Sequence, residues 1–276
     1  MKDRKSMSTI LPTPYPELNH ILRNLVERVQ TVLSNNFVGA YLQGSFAVGD
    51  FDLHSDVDFI IVTEEELSDK EVYRLQEVHE RVYCLPVSWA QHLEGSYFPR
   101  EILRHSTRTD EQLWYLDHGN CALLRSTHDN NIVVRWVLRA NGVTLAGPSP
   151  ALLVDPIPVE TLREQIMATI QRWGQEILNN PEHFNNRFYQ GFIILNYSRM
   201  VHDLHSGFTG SKLAGAEWAK ANFDPSWQGL IDRAWNGRDD AAISSRQRAD
   251  PGDFQATLEF VRYSMNQAKT LYPEAS

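Results

Sequence analysis

A chain of 276 residues has room for one large domain or two modest ones, each with its own core. Apolar residues make up 42% and charged ones 22%, a balance that excludes a disordered chain, and no apolar run approaches the roughly 20 residues of a bilayer-spanning helix. A net charge of -9 lacks the basic surplus with which duplex-binding proteins displace counterions, so neither a nucleic-acid nor a membrane partner is expected.

The basic segment Met1–Met7 is not followed by a secretory-length apolar stretch. The two cysteines, Cys84 and Cys121, lie far apart in apolar surroundings and read as buried thiols, which fits a reducing cytoplasm. No Cys/His spacing suggests zinc, and His79-Glu80 lacks the second histidine of a zincin helix.

Apolar residues from Leu18 to Leu33 recur at intervals of three and four, predicting an amphipathic helix opened by Pro14 and Pro16 and ended near Asn35-Asn36. Phe37–Leu42 reads as a short strand and Val57–Thr63 as a strand buried on both faces. Helical spacing returns over Ser68–Tyr83, and His92–Phe98 reads as a further strand stopped by Pro99. This order predicts an α/β unit with a small mixed sheet and flanking helices. The proline-dense stretch Gly147-Pro148-Ser149-Pro150 to Asp155-Pro156-Ile157-Pro158 marks a boundary, giving domains 1–150 and 151–276. Beyond it, Leu162–Leu178, Phe188–Leu204, Lys212–Ala221 and Phe254–Leu271 carry helical spacing, so the second domain is expected to be an all-α bundle.

One segment carries chemistry. Gly44-Ser45 follows a strand, and Asp56-Val57-Asp58 opens the next one. Side chains at i and i+2 of a strand share a face, so Asp56 and Asp58 present two carboxylates together. Such oxygen ligands suit Mg²⁺, which keeps water and recruits substrate phosphates. Gly44 admits a close backbone approach to a phosphate, Ser45 offers a hydroxyl and an amide, and the buried run Phe59–Val62 anchors the carboxylates.

The Gly-Ser, its spacing, and His54-Ser55-Asp56-Val57-Asp58 resemble the signature of the nucleotidyltransferase superfamily shared with DNA polymerase beta. Val143–Pro148, Asp155–Pro158, Tyr197-Ser198-Arg199 and Ala216-Glu217-Trp218-Ala219 resemble, in the same order, the aminoglycoside (3'')(9) adenylyltransferases. The likeness covers most of the chain from about Phe37 and is loose between Glu64 and Arg139.

The resemblance implies Mg²⁺-dependent transfer of AMP from ATP to a hydroxyl of a small, cationic acceptor such as streptomycin or spectinomycin, with release of pyrophosphate. It implies that Asp56 and Asp58 hold the metal, that Gly44 and Ser45 meet the triphosphate, and that Glu94 is both a metal ligand and the general base, with Glu101 as the fallback. Alternation along the strand would turn Glu94 toward the aspartates. Arg199 and Lys212 match family residues that hold the ATP phosphates, although Gly207–Lys212 is not a true phosphate loop. Trp173 and Trp114 match aromatic residues of the acceptor surface. Where the family supplies aspartates to the cationic drug this chain has none, and Glu176 and Glu182 are the carboxylates at hand. The alternatives are another acceptor (a lincosamide, a metabolite or a protein hydroxyl) and a retired nucleotide-binding sensor.

Overall fold

The computed structural model describes residues 11–52, 55–238 and 244–273. Met1–Met7 and His54 of the motif lie outside the described residues. The chain divides into two compact units, Met1–Ala47 with Asp56–Asp155, and Val48–Ser55 with Pro156–Ser276.

In the first unit α1 (Pro16–Leu33) starts with proline in its first turn, where a missing N–H costs nothing, and buries Leu18, Ile21, Leu22, Leu25 and Val29. Strand β1 (Phe37–Leu42) leads into the single-turn α2 (Gly44–Val48), and β2 (Val57–Thr63) follows. Helix α3 (Asp69–Tyr83) begins in a capping box, the Ser68 hydroxyl accepting the Glu71 amide and the Glu71 carboxylate accepting the Ser68 amide. Strand β3 (Leu93–Pro99) runs into the short α4 (Arg100–Arg104). Then come β4 (Leu113–Leu116), β5 (Leu123–Ser126), α5 (Ile132–Asn141) and β6 (Val143–Ala146).

The strands form one sheet in the order β5-β4-β3-β2-β1-β6. Strands β2 and β3 are parallel and every other pair is antiparallel, so the sheet is mixed. The centre of the sheet is dry: Phe59, Ile60, Ile61 and Val62 are all 0% exposed. Beside them His79 on α3 is buried, its Nε2 2.8 Å from the Tyr97 hydroxyl and its ring 5.9 Å from that of Phe59.

The stretch from Arg100 to Ala146 was the part with no expected elements. Its three strands have four residues each, too short for a period to register. It is tied by Arg135, a fully buried guanidinium on α5 that donates to the carbonyls of Ile102 (2.8 Å) and Leu103 (3.1 Å) and to Asn130 Oδ1 (2.7 Å). Those acceptors make a buried charge tolerable. The cysteines correct an expectation: Cys84 is exposed at the C-cap of α3, and Cys121 is partly exposed after the β4–β5 turn. Both are free thiols, and they are exposed or partly exposed because helix ends and turns lie at the surface.

The second unit is helical: α6 (Val159–Asn179), α7 (Arg187–Ser206), α8 (Lys212–Asn222), α9 (Gln228–Asn236) and α10 (Pro251–Leu271). Helix α7 is central and packs against all four others. It ends at Gly207, whose φ of +75° is the left-handed cap that glycine adopts without cost. No helix among the described residues is long and apolar enough to cross a membrane.

Candidate active site

The parallel register of β2 and β3 sets Asp58 directly opposite Glu94. Both stand near the N-terminal ends of their strands, with Asp56 just before β2. Gly44 closes the third side. Its φ is +58°, and a β-carbon there would lie 1.9 Å from Asp58 Oδ2, so only a glycine lets this backbone lie against the carboxylate. The Gln43 amide donates to the Asp58 carbonyl at 2.9 Å, which fixes the turn to β2. Among the described residues the Ser45 hydroxyl is buried without a hydrogen-bond partner.

The Glu94 side chain is 15% exposed, well below the half-exposed Asp56. The Tyr115 hydroxyl donates to Glu94 Oε1, and His128 Nε2 lies 3.4 Å from the same oxygen. Burial raises the Glu94 carboxyl above its ordinary range, opposed by the Tyr115 hydrogen bond and the His128 charge and assisted by the Asp56 and Asp129 carboxylates. Asp129 is itself buried, accepting from Ser96 Oγ at 2.7 Å and Gln43 Nε2 at 3.3 Å, and burial raises its carboxyl too. The outer side is different. Asp56 is half exposed and pairs with His118 Nδ1 at 2.8 Å, and that hydrogen bond is the main cause of a raised His118 imidazole. His92 stacks edge-on against His118, ring centroids 5.2 Å apart.

Among the residues singled out from sequence, the structure brings together Gly44, Ser45, Asp56, Asp58 and Glu94. Glu101 is not with them. It follows the far end of β3, exposed, and pairs with His105 at 2.9 Å. Trp114 faces away as well: it is paired with Tyr97, whereas Tyr115 shares the face of Ser96 and Glu94, and it packs beneath Arg125 at 5.2 Å.

In the helical unit Arg199 on α7 is half-buried and donates to Asn196 Oδ1 at 2.7 Å. Lys212, the first residue of α8, lies 5.2 Å from the Phe192 ring centroid. Helices α7 and α8 meet at Gly215, where a β-carbon would come within 2.4 Å of the Arg199 Cα. Trp173 stacks on Tyr197 at 5.3 Å and edge-on to Phe192 at 5.9 Å, so Trp173 and Lys212 share one aromatic neighbour. Glu176 is exposed one turn beyond Trp173, while Glu182 pairs with Arg248 at 3.2 Å.

Sequence reasoning missed Tyr115, His128, Asp129, His92 and His118. Ser96 was within reach, two residues beyond Glu94 and therefore on the same face, and His92 directly precedes β3, but the others come from turns and four-residue strands whose position only the sheet fixes.

Residues 22–111 match the model of the nucleotidyltransferase domain, and residues 152–267 match that of the aminoglycoside adenylyltransferase C-terminal domain. A search of curated proteins finds no match. Among solved structures the chain is similar to spectinomycin adenyltransferase AAD(9) from Enterococcus faecialis, solved with ATP and spectinomycin. The TM-score is 0.65 at 15% identity, over 91% of this chain and 98% of that one. The chain thus joins a nucleotidyltransferase domain to an aminoglycoside adenylyltransferase C-terminal domain, and is an enzyme of the adenylyltransferase type.

Proposed function

We propose that this enzyme transfers AMP from ATP to a hydroxyl of a small aminocyclitol or aminoglycoside of the spectinomycin and streptomycin class, releasing pyrophosphate. The observation that carries the reading is the Asp58–Glu94 pairing beside the bare backbone of Gly44, in a chain whose second part matches the adenylyltransferase C-terminal domain. The solved relative with ATP and spectinomycin supports the nucleotide and the acceptor class.

The donor chemistry fits a magnesium ion: Asp56, Asp58 and Glu94 offer only oxygens, and Mg²⁺ prefers oxygen ligands. Bound there, Mg²⁺ supplies charge neutralisation for the triphosphate. Glu94 takes the proton from the acceptor hydroxyl. A carboxyl raised by burial is a stronger base than an ordinary one, and the Tyr115 hydroxyl holds it in place. The acceptor oxygen bonds to the α-phosphorus as the α–β phosphoanhydride bond breaks, and pyrophosphate departs with its electron pair. Ser45 donates to the triphosphate with its otherwise unmet hydroxyl, and Gly44 lets the chain pass close to it. Arg199 and Lys212 stabilise the negative charge that grows on the leaving group. Trp173 offers an aromatic face to the acceptor, and Glu176 a carboxylate.

Trp114 and Glu182 have no part in this reading, one facing away and the other held by Arg248. The absence of the family's aspartates favours a second acceptor class with less positive charge, reached by the same transfer. The test is mass spectrometry of reactions with ATP and Mg²⁺ over streptomycin, spectinomycin and a lincosamide. AMP adducts on the first two support the reading, and an adduct on the lincosamide alone moves the acceptor to the second class.

A further inference from the structure

We propose that Asp56, His92 and His118 form a binding site for a transition-metal dication of the zinc class. The inference shares Asp56 with the transfer reading but uses different donors. One ligand atom from each of the three residues falls within 4.8 Å of the other two. Asp56 Oδ1 and His118 Nδ1 are already 2.8 Å apart, and the two imidazoles meet edge-on at 75°. Metal–ligand distances of about 2.0–2.2 Å put donors roughly 3–4 Å apart around one ion, so the three close on it with movements of about an ångström.

The donor set selects the metal. Mg²⁺ takes oxygen ligands, whereas two imidazoles and a carboxylate, with a fourth position open, suit Zn²⁺ and Co²⁺. The ligands come from three separate places, so no local motif announces them. Asp56 precedes β2, His92 precedes β3, and His118 lies in the turn after β4. The scaffold holds them: the His92 carbonyl accepts the Val57 amide at 2.8 Å, Trp89 packs edge-on against the His92 ring, and the His118 turn is closed by Asn120 N to Asp117 O at 3.1 Å. Because Asp56 serves both sites, Zn²⁺ is expected to inhibit Mg²⁺-dependent transfer.

The experiment titrates Co²⁺ into the full chain without nucleotide and follows its visible d–d absorption. The expected result is one Co²⁺ per chain, kept in a large excess of Mg²⁺ and displaced by Zn²⁺. His92→Ala and His118→Ala each weaken binding by at least about tenfold, and Glu101→Gln, at the far end of β3 and paired with His105, leaves it unchanged. Circular dichroism checks each fold, with the milder His118→Gln as a second variant. Absent Co²⁺ binding, displacement by Mg²⁺, or affinity unchanged in both histidine variants overturns the site. AMP transfer, assayed with Mg²⁺ on Co²⁺-free aliquots of the same preparation, separates the two readings: Co²⁺ binding by a preparation whose Co²⁺-free aliquots show no transfer sinks only the transfer reading, and transfer without Co²⁺ binding sinks only the metal site.

Discussion

Gly44→Ala tests the closest approach in the site. The new methyl would lie 1.9 Å from Asp58 Oδ2 and 2.7 Å from Asp58 Cγ, about 1.1 Å short of the 3.0 Å that real β-carbons keep. A left-handed φ of +58° adds backbone strain of about 1–2 kcal/mol for any L-residue. The clash is with the end of a side chain rather than with backbone, so the fold survives and the Asp58 carboxylate rotates away. A displacement of about 1 Å in a reacting group costs roughly a hundredfold in rate. The variant should therefore melt as a cooperative unit, destabilised by about 1–2 kcal/mol in a denaturant titration, while kcat for AMP transfer falls roughly a hundredfold. Turnover within about twofold of wild type in a folded Gly44→Ala would refute the link between this glycine and the carboxylate.

Glu94→Gln removes the proposed base and should lower turnover by roughly 10²–10⁴-fold with ATP affinity held within a few-fold; wild-type rates would place the base elsewhere. His79 gives a pH-dependent stability, because burial holds its imidazole down to about 4 from 6.5. Between those values the unfolded chain binds a proton that the folded chain does not, so stability is full above pH 6.5 and falls by about 3 kcal/mol as pH drops toward 4. Urea titrations at several pH values should show that limb, and His79→Leu with Tyr97→Phe should flatten it; an unchanged slope removes His79 as its source. Arg135→Met strands the Ile102 and Leu103 carbonyls and should cost about 3 kcal/mol or more. A loss under about 1 kcal/mol would mean that those carbonyls find other donors.

What the sequence disclosed depended on repetition. Helix α1 shows its face through eight apolar positions over four turns, and β2 through an unbroken apolar run, so both were legible. The order of the site was legible too, since Gly44-Ser45 and Asp56-x-Asp58 are local patterns. Strands β4 to β6 were not, with four residues each, and with them went Tyr115 and the turn that carries His118. The register that sets Glu94 against Asp58 is a property of the sheet, where a shift of one residue would turn Glu94 to the other face. Trp114 shows the converse. A tryptophan matched by position alone says nothing of its face, and here the pairing with Tyr97 turns it from the carboxylates. Cys84 and Cys121 were misread because apolar neighbours along the chain do not imply burial at a helix end or a turn.

The central claim, adenylyl transfer through the β2–β3 carboxylates, is tested most directly by incubating the enzyme with ATP, Mg²⁺ and spectinomycin or streptomycin and weighing the products beside a Glu94→Gln control. The account predicts an AMP adduct on the drug and stoichiometric pyrophosphate with the wild-type chain, and neither with the variant on the same timescale. ATP and Mg²⁺ bound without any adduct on either drug, or equal adduct formation by both proteins, would contradict it.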